Sequence, residues 1–143
     1  MGQIRYPFDA RLEHRAVGSA AINAAETVLD TVDTKAADRK AYATKVLIEA
    51  ILISDNDETY QLVVELSNDN FTTVNEVAAI LDLGATEVRQ SGAPDNAAGD
   101  EYEIYWSTEV NGVNYRYFRI KLFAAGTTES ITLGCYSSIM PGA

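Results

Sequence analysis

The chain has 143 residues, 47% of them hydrophobic and 22% charged, as expected of one globular domain. Eleven basic against 21 acidic residues give a net charge of −10. That balance argues against nucleic acid, whose phosphates need clustered Lys and Arg, and against an anionic membrane surface. The single cysteine, Cys135, rules out an intrachain disulfide, and the single histidine, His14, rules out a multi-histidine metal site.

Residues 1–18 predict an extended N-terminal arm, because Pro7 pushes Tyr6 out of the helical region. Within it Ile4, Tyr6 and Phe8 alternate with polar neighbours. Arg5, Arg11, His14 and Arg15 place four of the chain's twelve Lys, Arg and His residues there. Ile4, Arg5, Tyr6, Phe8 and Arg11 are therefore the candidate partner contacts, reaching an acidic surface on a neighbouring subunit or packing on their own domain. The stretch lacks the apolar centre of a secretory leader, and no run approaches the about 18 apolar residues of a membrane helix.

Residues 19–143 read as the domain proper. Ser19–Asp33 mixes helix-favouring alanines with strand-favouring Val28, Leu29 and Val32, and in this strongly β context it predicts two short strands. Thr34–Lys40, with four charges in seven residues, is a loop or a single helical turn. Tyr42–Ser54 is apolar on both faces, so it is a central strand or one covered on its outer side. Asp55–Glu58 then turns the chain, and Tyr60–Leu66 is expected to return antiparallel with Tyr60, Leu62, Val64 and Leu66 on one face. Ser67–Asn70 stops that strand and Phe71 heads back toward the core.

Glu76–Leu83 is another strand, closed by Gly84. Residues 90–100 are a long turn-rich loop without an apolar anchor. Tyr102, Ile104 and Trp106 alternate along the next strand. Asn111-Gly112 is a two-residue hairpin signal, since both tolerate the positive φ of a type I′ turn. Tyr115–Phe123 follows, with Phe118, Ile120 and Leu122 inward, and the strand of Ile131, Leu133 and Cys135 comes last. Seven or eight strands with regular turns specify an all-β fold, an antiparallel β-sandwich or jelly roll.

Little of this carries chemistry. A Ser-His-Asp or Cys-His site would have to use His14, whose place in the arm marks it as an exposed or interface residue. Asp55–Glu58 and Asn68–Asn70 are rich in oxygen and offer Ca²⁺ ligands, yet Asx residues are also the commonest turn formers. They lie at opposite ends of one strand and cannot form one site. Cys135 alternates with core positions and reads as a buried, inert thiol. Tyr102, Tyr105, Trp106, Tyr115 and Tyr117 offer flat faces for sugar rings, or ordinary cross-strand packing. Glu101, Glu103 and Glu109 share a solvated face rather than forming a catalytic carboxylate pair. No catalytic set and no cofactor site is expected, so the residues point to a non-enzymatic protein.

Two stretches carry a resemblance. Asp57-Glu-Thr-Tyr-Gln-Leu-Val-Val-Glu-Leu-Ser-Asn-Asp-Asn-Phe71 and the later Tyr115-Arg-Tyr-Phe-Arg-Ile120 resemble the strand pattern of discoidin or galactose-binding-like jelly rolls. With the Gly126-Thr-Thr turn, the combination is most similar to small virion structural proteins of tailed bacteriophages. That resemblance covers roughly residues 40–138. It implies a capsid decoration or cement protein, present in many copies as a homo-oligomer. The implied partners are a major capsid protein or neighbouring virion subunits, and the implied place is a virion assembled in the bacterial cytoplasm. The alternatives are a carbohydrate-binding module using Tyr105, Trp106 or Tyr117, or another virion component in the tail, connector or head-fibre base. No loop carries an obvious hydrophobic spike, as a sugar-binding discoidin domain would.

Overall fold

The computed structural model describes residues 12–35, 38–74, 76–89 and 92–140, and the arm candidates Ile4, Arg5, Tyr6, Phe8 and Arg11 lie outside them. Ten strands run in chain order: β1 (Glu13–Arg15), β2 (Glu26–Asp33), β3 (Ala41–Ile51), β4 (Thr59–Ser67), β5 (Glu76–Gly84), β6 (Glu101–Ser107), β7 (Glu109–Val110), β8 (Val113–Asn114), β9 (Tyr117–Ala125) and β10 (Ile131–Ile139). Sheet A has the order β1-β10-β3-β6 and sheet B the order β2-β9-β4-β5, while β7 and β8 form a small hairpin of their own.

The pairing follows one rule. β1 pairs with β10, β2 with β9, β3 with β6 and β4 with β5, always antiparallel. The chain is thus a long hairpin folded over on itself, with the β4–β5 turn at its tip. That is the jelly-roll form of the sandwich. Alternation dictates what faces inward. Val46 and Ile48 from sheet A meet Tyr60, Leu62, Val64, Leu66, Phe118, Ile120 and Leu122 from sheet B, all fully buried, with Leu133 and Cys135 beside them. Each fully buried aliphatic or aromatic side chain contributes about 1.5–3 kcal/mol relative to exposure.

The expected return of Tyr60–Leu66 beside Tyr42–Ser54 does not occur. β3 lies between β10 and β6, and β4 lies between β9 and β5, so neither has a free edge for the other. Ser54–Glu58 is instead an arch from one sheet to the other. The buried Glu58 carboxylate accepts the N–H groups of Asp55 (2.8 Å) and Asp57 (3.1 Å). The Tyr60 hydroxyl donates to the Leu52 carbonyl (2.8 Å) and accepts the Ser130 N–H (3.0 Å), fastening the arch to the β9–β10 connection. Gly84 lies so close that a Cβ there would stand 2.3 Å from the Glu58 carbonyl oxygen, at φ +134°.

Other expectations are corrected in the same way. Asn111 (φ 53°) and Gly112 (φ 79°) do form the I′-type turn. It closes only the β7–β8 hairpin, and the flanking β6 and β9 belong to different sheets. Ser19–Asp33 yields one strand, β2, plus an isolated bridge of Ile22 to Ile131. Phe71 does not return to the core. At φ 63° it lies on the outer face of sheet B, its ring 4.5 Å from the Arg119 guanidinium. The loop after Ser91 has a polar anchor: buried Asn96 takes the Gly84 N–H (2.8 Å) and returns its own N–H to the Gly84 carbonyl (3.1 Å). Finally, Leu12 is core and residues 13–15 are sheet, so the domain begins earlier than residue 19.

Candidate functional site

The most organised chemistry lies between the sheets, and it uses the histidine. His14 on β1 is buried, not exposed or at an interface. Its Nδ1 is 2.8 Å from Asp30 Oδ2 on β2, and its Nε2 is 2.7 Å from Ser137 Oγ on β10. Ser137 Oγ is 2.6 Å from Thr44 Oγ1 on β3, which accepts the Trp106 indole N–H from β6 at 2.8 Å. The relay therefore crosses all four strands of sheet A and steps onto the edge strand of sheet B.

Donor counting fixes the direction of every proton. The indole N–H only donates, so Thr44 Oγ1 accepts it, and with the Ser137 hydrogen committed to a neutral Nε2 it is the Thr44 hydroxyl that donates to Ser137. Ser137 then donates to His14 Nε2, and Nδ1–H donates to the Asp30 carboxylate. This neutral Nδ1–H arrangement leaves every named group paired. The reverse order would turn an unprotonated Nδ1 onto a carboxylate. Burial lowers the His14 pKa from 6.5, and the hydrogen bond and charge of Asp30 only partly oppose it.

By connectivity this is a Ser-His-Asp triad, but its surroundings are those of a core. Ser137 is 1% exposed, so no substrate reaches Oγ. The His14 ring packs edge-on to Phe118 at 5.8 Å. Phe118 contacts Trp106 (4.7 Å) and Tyr42 (5.1 Å), and Tyr42 stacks on Trp106 (4.8 Å). Such aromatic pairs add about 0.5–1.5 kcal/mol each beyond their burial.

The acidic loop is the second cluster. Carboxylate oxygens of Asp55, Asp57 and Glu58 come within 4.8 Å of one another. They already serve the chain's own donors. Asp57 accepts both the Thr127 N–H (3.1 Å) and its hydroxyl (2.6 Å). These bonds lower the Asp57 pKa. At Glu58 burial alone would raise the pKa, but the surrounding N–H groups outweigh it and the net shift is down.

The aromatic residues of the expected sugar platform separate. Trp106 is in the core, Tyr105 is exposed on the outer face of sheet A, and Tyr117 lies on β9 in sheet B. They line no common groove. Glu101 and Glu103 stand on β6 at the solvated edge, Glu101 with Lys45 at 3.6 Å.

The two outer faces differ sharply. Across sheet A the register aligns Glu13, Tyr136, Lys45 and Glu103. Across sheet B it aligns Val28, Lys121, Val63 and Ile80. Val28 is 46% and Ile80 55% exposed, and Val77 beside them is 39% exposed. Arg119 bonds Glu65 at 2.6 Å, with its guanidinium also against the Phe71 ring, so these two charges on this face are paired. Alternation does not reveal this face, because Val28, Val63 and Ile80 come from distant strands.

No protein-family model matches the chain. No curated protein matches it either. Among solved structures, a chain in the structure of infectious bursal disease virus, Gx strain, is similar at 5% identity and a TM-score of 0.48. The similarity covers 89% of this chain and 29% of that one. Among the described residues, no helix is long and apolar enough to cross a membrane.

Proposed function

We propose that this chain is a non-enzymatic virion structural protein, acting as a capsid decoration or cement subunit of the tailed-phage kind. Its partners are a major capsid protein or neighbouring copies of itself, and it resides on particles assembled in the bacterial cytoplasm. The observation that supports this reading best is the exposure of Ile80, Val77 and, across Lys121, Val28 on the outside of sheet B. Apolar side chains gathered on one outer sheet face offer a contact surface. The rolled sandwich suits the role, since jelly rolls recur in capsid and lectin domains, although fold alone does not assign function.

The test is quantitative proteomics of gradient-purified particles from the chain's own host. Recovery at a fixed ratio to the major head protein supports the reading. Recovery in the tail fraction alone moves the subunit to the tail, connector or fibre base, and absence from particles overturns it. The role of Ile4, Arg5, Tyr6, Phe8 and Arg11 is tested by deleting residues 1–11. Deletion through Arg15 is uninformative, because it removes Leu12 and His14 from the core.

A further inference from the structure

β1 is only three residues long, and its pairing with β10 is interrupted by an irregularity between Glu13 and Arg15. Its inward anchors are Leu12 and His14, both buried. His14 is also what joins β1 to β2, the edge strand of the other sheet, through Asp30. Among the described residues, the side-chain hydrogen bond that joins β1 to β2 across the open side of the sandwich is the one from this imidazole. We propose that β1 is an acid-released latch, held closed while the His14 ring is neutral and freed when it takes a proton, which uncovers the edge of β10.

The hydrogen-bond order gives the reason. A protonated ring must donate from Nε2 to Ser137. Ser137 then donates to Thr44, which already accepts the Trp106 N–H, and the Thr44 hydroxyl hydrogen has no acceptor left in the relay. One buried donor is stranded in the sheet A interior. Compensation comes only from Asp30, whose side chain is 29% exposed, so water weakens the new ion pair.

The charged group acting on the ring is Asp30 from β2, and the titratable core residues on the strands beyond are Cys135 on β10 and Tyr42 on β3. Burial raises the Cys135 thiol to about 12 and raises the Tyr42 phenol as well, so both stay neutral where an imidazole titrates. Glu13 and Arg15 on β1 itself alternate to the opposite face, and β9 and β6 contribute the uncharged Phe118 and Trp106. The released ring has the ordinary pKa of 6.5 and the docked ring a lower one. Docking is therefore strongest above about pH 6.5 and weakens as pH falls through the interval between the two values, by up to about tenfold per pH unit for one proton.

The chain's single histidine makes the experiment clean. Imidazole NMR reports tautomer and titration directly, and amide hydrogen exchange, corrected for intrinsic rates, reports β1. The expected result is an Nδ1–H tautomer above neutrality, with protection of residues 12–15 falling up to about tenfold per pH unit below about 6.5 while β3 and β4 stay protected. In His14→Gln, the pH dependence of β1 protection should vanish. If that variant fails to fold, the wild-type titration decides alone. A ring titrating at or above 6.5, or β1 protection that ignores the ring's titration, overturns the latch.

Discussion

Removing the Ser137 hydroxyl tests the Ser137–Thr44 link of the relay. In Ser137→Ala, His14 Nε2 loses its donor and the Thr44 hydroxyl loses its acceptor. Each unpaired buried group costs about 1–3 kcal/mol, so the variant should lose roughly 2–6 kcal/mol. Thr44→Val strands only the Trp106 N–H, because Ser137 continues to donate to His14. The double variant strands His14 Nε2 and the Trp106 N–H. It therefore has two unpaired groups where the single variants together have three. It should be more stable than additivity requires by the cost of one group, about 1–3 kcal/mol. Urea unfolding near neutral pH measures all four proteins, with equal m-values confirming that the same surface is exposed. Additivity within about 0.5 kcal/mol would refute the Ser137–Thr44 link.

Gly84→Ala should lose about 3 kcal/mol or more in thermal unfolding, because the new Cβ would meet the Glu58 carbonyl oxygen at 2.3 Å. Gly99→Ala has φ +93° but nothing within 4 Å, and should lose only the conformational cost of about 1–2 kcal/mol. Equal losses would show that close approach is not what matters at Gly84. The lowered pKa values of Asp57 and Glu58 mean that the arch stabilises the fold above the ordinary values of 3.8 and 4.5 and loses that contribution as pH falls below them. Glu58→Gln should melt lower at neutral pH and lose less on acidification, and a melt that falls as steeply as wild type would contradict the sign. Cys135, with its thiol held at about 12, should resist aromatic disulfide reagents in the native state and react fully in denaturant. Rapid native labelling would show that the interior opens there.

Alternation alone was enough to find β4, β5, β6, β9 and β10, since half-buried strands display period two and turn residues bound them. It was not enough to pair them. Asp55–Glu58 looks like a hairpin turn locally, and only the occupancy of both edges of β3 and β4 by distant strands makes it an arch. The relay was equally invisible. Thr44 and Ser137 sit at inward positions of otherwise apolar strands, and that is the one available signal. Their partners His14 and Asp30 are joined to them only by the roll of the whole chain. Asn96 hid for the same reason, an anchor for the 92–100 loop that composition reads as plain turn.

Two departures from the rule of apolar inside and polar outside remain after the fold is accounted for, and they are of opposite kinds. Inside sheet A, Thr44, Ser137 and His14 are polar groups in a core, but donor and acceptor match at every step from Trp106 to Asp30. Such a network is complete in itself and defines one packing of β1 against its neighbours. Outside sheet B, Val28, Ile80 and Val77 are apolar groups facing water, and no segment among the described residues covers them. A closed network needs no partner, whereas exposed apolar side chains gain by acquiring one, at about 25 cal/mol for each Å² removed from water. Binding should therefore be sought on exposed apolar residues such as those of sheet B before the triad-like cluster within.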